Sequence, residues 1–281
     1  MILVTGSTGN VGSAVIRCLR DRQACFRTGA RKPDTSRPPG NSETVAFDFL
    51  EPSTFRNAVR GCDAVFLLRP PAIANTKGTL NPFLDVARDE GVRQVVFVSV
   101  AGAAENPLVP HHAVEQHLLR GPEGWTIVRP GFFAQNLGDA YRDDIVQDSR
   151  LFVPAGAGRA AFVDVRDVAQ VAVDALIAPA SHRGQAYTLT GPEALSFSDV
   201  AGILSSELSR TILYRPATIA SYFLHLRRRG LPYGQVLVQT VLHVGLRFGQ
   251  AASVDPTLES LLGHRPRTLP EYVRDHRSLW M

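Results

Sequence analysis

The chain has 281 residues, of which 44% are hydrophobic and 20% charged, with a formal net charge of +4. These values are typical of a soluble globular protein with a sizeable core. The cationic residues form no stripe with interleaved aromatic residues, so nucleic acid is not an expected partner. The longest apolar run, near Val236, is interrupted by Gln239, His243 and Arg247, and no membrane span is expected.

The cysteines Cys18, Cys25 and Cys62 show no metal-binding or redox spacing, which is typical of inert thiols in a reducing compartment. No cluster of metal ligands is evident, so no metal site is predicted. A first strand beginning at Ile2 leaves no room for a signal peptide, and we expect a cytoplasmic protein.

The N-terminal half alternates short β-rich runs with helical patterns, which predicts a parallel sheet covered on both faces. The predicted strands are Ile2–Thr5, Cys25–Ala30, Thr44–Phe47, Ala64–Leu68, Gln94–Ser99 and Trp125–Val128. The predicted helices are Val11–Arg22, Pro52–Val59, Thr79–Glu90 and His112–Leu119. Residues 31–41, rich in proline and serine, read as an exposed loop.

The regular alternation of strand and helix patterns ends at Pro130. The predicted elements are strand Ala160–Val163, helix Arg166–Leu176 started by Asp164 or Asp167, strand Ala186–Leu189 and helix Ser196–Leu208. Ser196 and Asp199 have capping-box spacing, and the residues after Pro216 read as mostly helical. We therefore predict an α/β fold, a Rossmann-type doubly wound parallel sheet with a smaller, mostly helical C-terminal lobe. The predicted domains are 1–155, which binds a dinucleotide, and 156–281, which covers the substrate and is intertwined with the first.

The strongest motif is the glycine-rich run between the first predicted strand and helix. Gly6 allows the tight turn, Gly9 lets the backbone approach a diphosphate, and Gly12 lets the helix pack on the sheet. The helix N-terminus offers N–H groups and a partial positive charge to the phosphates. Because this motif lies in the strand–loop–helix context that it requires, it predicts a nicotinamide dinucleotide site. The predicted contacts in this loop are Gly6, Thr8, Gly9, Asn10, Val11 and Gly12.

The end of the second strand indicates which dinucleotide binds. An acidic residue there would bind the ribose hydroxyls of NADH, but the chain has Arg31 and Lys32, with no carboxylate before Asp34. The two cations could hold a 2′-phosphate, which favours NADPH, with NADH possible. Two solvated cations at a loop are the alternative interpretation.

Further cofactor contacts are predicted after the third and fourth strands. Asp48 and Phe49 follow the third strand, where they could meet the adenine. Leu67 at the end of the fourth strand and Arg69 just after it lie beside the expected ribose and phosphate path.

Five stretches resemble the atypical short-chain dehydrogenases/reductases, the group of the NmrA-like proteins and bacterial NADPH quinone reductases. The stretches are Val4–Gly12, Val96–Ser99, Trp125–Asn136, Phe162–Ala169 and Tyr187–Glu193. The resemblance implies that residues 130–136 line the nicotinamide. Pro130, Gly131 and Phe132 would hold the ring, with Asn136 below it; a turn that packs two lobes together is the alternative.

Standard members of that superfamily reduce ketones with a serine, a tyrosine and a lysine four residues later. Ser99 occupies the position of the serine, but His112 and Gln116 stand where tyrosine and lysine belong. Three accounts remain open. His112, or its neighbour His111, donates the proton; or a quinone or aryl ketone disperses the developing charge itself, and the enzyme mainly places the hydride; or the protein is not catalytic and senses the cofactor redox state.

We therefore predict an NAD(P)H-dependent reductase of a bulky aromatic ketone or quinone, with Ser99 and His112 as catalytic residues. The arginine-rich composition and an expected apolar cleft fit an aromatic-polyketide ketoreductase. The chain resembles the angucyclinone ketoreductases, which belong to the same atypical group, and this resemblance implies a substrate of that type. The expected partner is a small aromatic carbonyl substrate. The alternative is an NmrA-like redox sensor that binds a protein partner.

Overall fold

The computed structural model describes residues 1–33, 42–122 and 124–281. The chain forms two compact units. The first unit contains Met1–Pro130 and Val165–Leu189, and the second unit contains Gly131–Asp164 and Thr190–Met281. The chain therefore returns to the first unit after leaving it, and the predicted division at residue 155 stays a prediction.

Twelve strands are described, seven in the first unit and five in the second. They are β1 (Ile2–Val4), β2 (Phe26–Ala30), β3 (Ser42–Ala46), β4 (Ala64–Leu68), β5 (Gln94–Val98), β6 (Trp125–Pro130), β7 (Phe132–Phe133), β8 (Arg150–Leu151), β9 (Arg159–Val163), β10 (Gln185–Leu189), β11 (Ala194–Ser196) and β12 (Leu213–Tyr214).

Eleven α-helices accompany these strands in the described residues. They are α1 (Asn10–Asp21), α2 (Phe55–Val59), α3 (Leu80–Asp89), α4 (Pro110–Leu119), α5 (Arg142–Asp148), α6 (Val165–Ile177), α7 (Phe197–Leu208), α8 (Ile219–Arg228), α9 (Tyr233–Leu246), α10 (Thr257–Leu262) and α11 (Leu269–Asp275). None of the described helices is long and apolar enough to cross a membrane.

The first unit is built on a seven-stranded, wholly parallel sheet in the order β10-β6-β5-β4-β1-β2-β3. The central strand β4 and its neighbour β5 are almost continuously apolar and buried, as strands covered on both faces must be. Six of the strands follow the order of a doubly wound dinucleotide-binding sheet. The predicted Rossmann-type fold is therefore confirmed.

The second unit combines two small sheets, β11-β9-β7 and β12-β8, with six of the helices. Its core includes the large buried side chains Tyr141, Phe162, Phe197, Tyr272 and Trp280. Helix α7 begins with the predicted capping box, because Ser196 and Asp199 bond each other's backbone amides.

Most of the predicted bounds of these strands and helices are confirmed within two residues. Three of the small differences have a physical reason. Helix α4 begins at Pro110 rather than His112, because proline suits the first turn of a helix. Strand β6 continues to Pro130 because β10 pairs with it through Leu189. Strand β3 occupies residues 42–46 rather than 44–47, in register with β2 from Phe26 onward. Of the predicted loop 31–41, residues 34–41 lie outside the described residues.

Candidate cofactor site and active site

A glycine-rich loop joins β1 to α1 in the first unit. Gly6 has a φ of +65°, which glycine adopts without strain. A Cβ atom on Gly12 would lie 2.1 Å from the carbonyl oxygen of Gly6, so only glycine allows the helix to pack this closely on the loop. Gly9 is the N-cap residue of α1 and has no side chain to cover the amides of the first turn. The loop and the helix N-terminus therefore form a cradle that fits a diphosphate.

The other predicted contacts of this loop lie at the same place. Thr8 and Asn10 are exposed, whereas Val11 is buried under the first turn of α1. The side chain of Val11 therefore supports the cradle from below, and its backbone is the part that remains for a ligand.

Arg31 and Lys32 follow the end of β2 and are both exposed. Within residues 1–33, 42–122 and 124–281, neither side chain forms an ion pair. No described carboxylate therefore competes with an anionic group such as a 2′-phosphate for these two side chains. Asp34 lies outside the described residues.

Two of the predicted adenine and ribose contacts are core residues. The ring of Phe49 packs edge-on against Phe47 and Phe83, with centroids 4.7 and 5.6 Å away. Leu67 is fully buried in the same core. Asp48 is half-buried, and its carboxylate accepts a hydrogen bond from the amide of Leu50 at 2.9 Å. Phe49 and Leu67 can therefore contact a cofactor mainly through their backbone.

The guanidinium of Arg69 is already extensively bonded within the first unit. Its Nη1 atom donates to the carbonyl oxygens of Pro70, Pro71 and Ile73, at 2.7 to 3.2 Å. Its Nε atom donates to Nε2 of His111 at 3.2 Å. Arg69 therefore holds the turn after β4 and orients His111.

A buried ion pair joins three elements where the sequence predicts catalysis. Glu115 on α4 is fully buried and accepts two bonds from Arg129 on β6, from Nε at 3.0 Å and from Nη2 at 2.7 Å. The same carboxylate accepts a hydrogen bond from the hydroxyl of Ser99, which follows β5. Since a serine hydroxyl has one proton, Ser99 offers only lone pairs to any further partner.

His111 and His112, at the start of α4, differ in what they can do. Burial, with Arg69 beside it, lowers the pKa of His111 to about 3, so this imidazole is neutral at neutral pH. The Nδ1 atom of His112 lies 2.8 Å from the carbonyl oxygen of Ala103. Because a carbonyl only accepts, this nitrogen carries the proton, and Nε2 of His112 becomes a donor only when the ring is cationic.

In the second unit, Phe132 lies in a cluster of rings. It is half-buried, and its centroid is 5.2 Å from that of Phe162 and 6.2 Å from that of His243. The Nδ1 atom of His243 donates a hydrogen bond to the carbonyl oxygen of Gln239, at 2.6 Å. Its Nε2 atom accepts a hydrogen bond from the phenol hydroxyl of Tyr141.

The phenol of Tyr141 and the imidazole of His243 are both neutral at neutral pH. Burial raises the pKa of Tyr141 well above its usual value, and burial lowers the pKa of His243. The rings recorded around Phe132, those of Phe162, Phe197 and His243, are therefore uncharged.

The sequence did not identify Glu115 and Arg129 as residues of the candidate active site. Glu115 stands one turn after His111 on the same helix face, so the burial of His111 predicts the burial of Glu115, but no local pattern names Arg129 as its partner. Among the described residues, no group of three or more histidines, cysteines and carboxylates could hold a metal ion.

The parallel sheet and its glycine cradle define a dinucleotide-binding protein of the Rossmann type. Residues 6–179 match the model of the NAD(P)H-binding family, and the chain belongs to that family. It is an NAD(P)H-dependent oxidoreductase of the atypical short-chain dehydrogenase/reductase group, as the sequence predicted.

One relative and two solved structures illustrate the match. The NAD(P)H azoreductase of Xenophilus azovorans is 32% identical over 98% of both chains. The NADPH-dependent quinone oxidoreductase of Escherichia coli, solved with NADPH, superposes with a TM-score of 0.85 at 22% identity, covering 98% of this chain and 99% of the other. The triphenylmethane reductase of a Citrobacter species, solved with NADP(H), also gives 0.85, at 21% identity and the same coverage.

Proposed function

We propose that this protein reduces a conjugated aromatic acceptor, a quinone or a bulky aryl ketone, by hydride transfer from NADPH, without a strong acid from the protein. Reduction of a quinone to its hydroquinone consumes one NADPH and one proton from solvent. Aryl ketones of the angucyclinone type, with a phenol beside the carbonyl, belong to the same class, because the phenol can stabilise the developing oxyanion.

The disposition of protons carries this proposal. The Ser99 hydroxyl donates its hydrogen bond to the carboxylate of Glu115, and His111 has a pKa of about 3. The phenol of Tyr141 is bonded to a neutral His243, and burial raises its pKa. None of these three groups is prepared to give a proton to an ordinary ketone at neutral pH. An acceptor that spreads charge over its own π-system does not need one.

The names of the relatives point in the same direction. Azo compounds, quinones and triphenylmethane dyes are extended π-systems that accept a hydride and delocalise the charge. The aromatic rings around Phe132 suit such a molecule better than a small aliphatic carbonyl.

In this proposal the amides of the glycine cradle bind the diphosphate, and Arg31 and Lys32 bind the 2′-phosphate. The bound nicotinamide supplies the hydride. The stretch from Pro130 to Phe132 orients its ring, while Glu115 and Arg129 fix the end of β6 from which that stretch departs.

The test is a panel of acceptors with the purified protein and NADPH, followed by absorbance at 340 nm. We expect turnover with a naphthoquinone and with an aryl ketone bearing an ortho-hydroxyl group. We expect at least about tenfold less with the O-methyl ether of that ketone, which loses the internal hydrogen bond, and none with an aliphatic ketone. Equal rates for the phenol and its ether would refute the substrate-assisted mechanism. Tight NADPH binding with no turnover across the panel would instead support the redox-sensor alternative.

A further inference from the structure

Helix α9 in the second unit has no charged residue in its 14 positions. Four of its apolar side chains are more than half exposed: Leu237 at 58%, Val238 at 58%, Val241 at 60% and Leu242 at 57%. Together with Tyr233 and Phe248, these four form the α9 stripe. The spacing of the four, i, i+1, i+4 and i+5, places them on one face, opposite the face that buries Val236, Thr240 and His243.

The stripe continues beyond these four residues. Tyr233, at the start of the helix, is 68% exposed, and Phe248, just past its end, is 79% exposed. Single exposed apolar residues are normal on a protein surface, but contiguous patches of several hundred Å² mark interaction sites. At roughly 100 Å² of exposed area each, these six side chains present on the order of 600 Å².

We propose that the α9 stripe is a self-association surface through which two copies of this chain form a dimer. Its estimated area is close to the roughly 800 Å² that each partner buries in a standard interface. In a two-fold dimer each face meets itself, so any charge on it would oppose the same charge. Helix α9 itself carries no charge, and the guanidinium of Arg227, 3.8 Å above the ring of Tyr233, lies at the end of the stripe. The centre of the stripe therefore avoids that penalty and presents an apolar ridge suited to antiparallel helix packing.

Other occupants fit this surface less well. A helix that binds anionic lipid typically carries lysine and arginine beside its apolar face, whereas α9 carries neither, and the adjacent Arg227 of α8 is engaged with the ring of Tyr233 and the carbonyl of Leu231. A small aromatic molecule requires a concave site that covers most of its surface, and the outer flank of a helix is convex.

The experiment measures the mass of the full-length protein by light scattering after gel filtration, at about 10 μM, a concentration at which a micromolar dimer is populated. We expect twice the 30.6 kDa of one chain. Val241→Glu and Leu242→Lys should each give monomers, with the dissociation constant raised roughly 100-fold or more, because either charge meets its own copy. Leu213→Glu, the same kind of change at a residue that is 48% exposed in the same unit but outside α9, should remain dimeric.

Circular dichroism and NADPH binding verify that each variant is folded. A monomeric wild-type protein at 100 μM, or a Val241→Glu variant that remains dimeric, would overturn the proposal. So would binding to phosphatidylglycerol vesicles that Leu242→Lys strengthens, since this identifies a lipid surface as the occupant. A raised KM for the acceptor in both variants without a change in mass would also overturn it, in favour of a substrate-binding role.

Discussion

Replacing Glu115 by glutamine tests the buried ion pair that joins α4, β5 and β6. The carboxylate is fully buried and satisfies two N–H donors of Arg129 and the hydroxyl of Ser99. Glutamine keeps the shape and one acceptor oxygen but removes the charge and directs an NH₂ group at another donor. The Arg129 side chain, only 18% exposed, is left with a poorly compensated charge.

The magnitude follows from this burial. Removing one partner of a buried pair costs about 3–5 kcal/mol, and the oxygen that glutamine keeps puts this variant near the lower end. We therefore expect the free energy of unfolding to fall by about 3 kcal/mol, a large part of the roughly 5–15 kcal/mol that stabilises a typical protein. By comparison, Ser99→Ala removes one hydrogen bond to a charged group, worth about 1.5–3 kcal/mol.

The assay is urea unfolding followed by tryptophan fluorescence. The chain has two tryptophans, of which Trp125 lies in the first unit with the ion pair and Trp280 lies in the second. A Trp280→Phe background makes fluorescence report the first unit alone. The matched control in the same unit is Glu90→Gln, whose partner Arg56 has a side chain that is 65% exposed, and it should cost at most about 1 kcal/mol. If Glu115→Gln unfolds at the same urea concentration as the control, the structural role assigned to the pair is refuted.

Three further predictions concern the histidines and the cofactor. His112→Phe should change the turnover of a quinone by less than about tenfold, because the acceptor disperses its own charge; a loss above about 100-fold would make His112 the proton donor. Replacing both cations, Arg31→Glu with Lys32→Glu, should raise the calorimetric Kd for NADPH at least about tenfold and leave the Kd for NADH nearly unchanged. An equal loss of affinity for both cofactors would show that Arg31 and Lys32 do not bind the 2′-phosphate. The lowered pKa of His111 means that the folded state disfavours its protonation, so its contribution to stability is complete above about pH 6.5 and is lost as the pH falls towards about 3. Urea unfolding at pH 7 and pH 5 should show a smaller pH effect in His111→Gln than in wild type, and equal pH effects would contradict the burial argument.

The sequence predicted those parts of the fold that depend on local patterns. The glycine positions of the β1–α1 loop, the capping box at Ser196 and the apolar run of β4 each carry their cause within a few residues. It could not predict what depends on distant partners. Glu115 was placed on α4 by the sequence, but Arg129 reaches it only because β5 and β6 pair in parallel.

The same limit affects the predicted contacts. A sequence position at the end of a strand does not show which way a side chain points, and Phe49 and Leu67 are directed into the core. Likewise, Ser99 follows β5 as expected, but the direction of its proton became apparent only with the carboxylate beside it.

The central claim is that the N-terminal amides of α1 hold the diphosphate of the cofactor, and Gly9 offers a direct test. A Cβ atom at this N-cap position would have as its nearest neighbour the carbonyl oxygen of Gly6 at 3.8 Å, so a side chain fits the fold. Aspartate and asparagine are nearly equal in shape and are both good N-cap residues. They differ in the charge that would face the diphosphate.

Calorimetric titration of NADPH into wild type, Gly9→Asn and Gly9→Asp is therefore the decisive measurement. We expect binding by the wild type, weaker binding by Gly9→Asn, and a Kd for Gly9→Asp at least about tenfold higher than that for Gly9→Asn, with thermal stability retained in both variants. Equal NADPH affinities in Gly9→Asp and wild type would contradict the claim, because the diphosphate would then bind elsewhere.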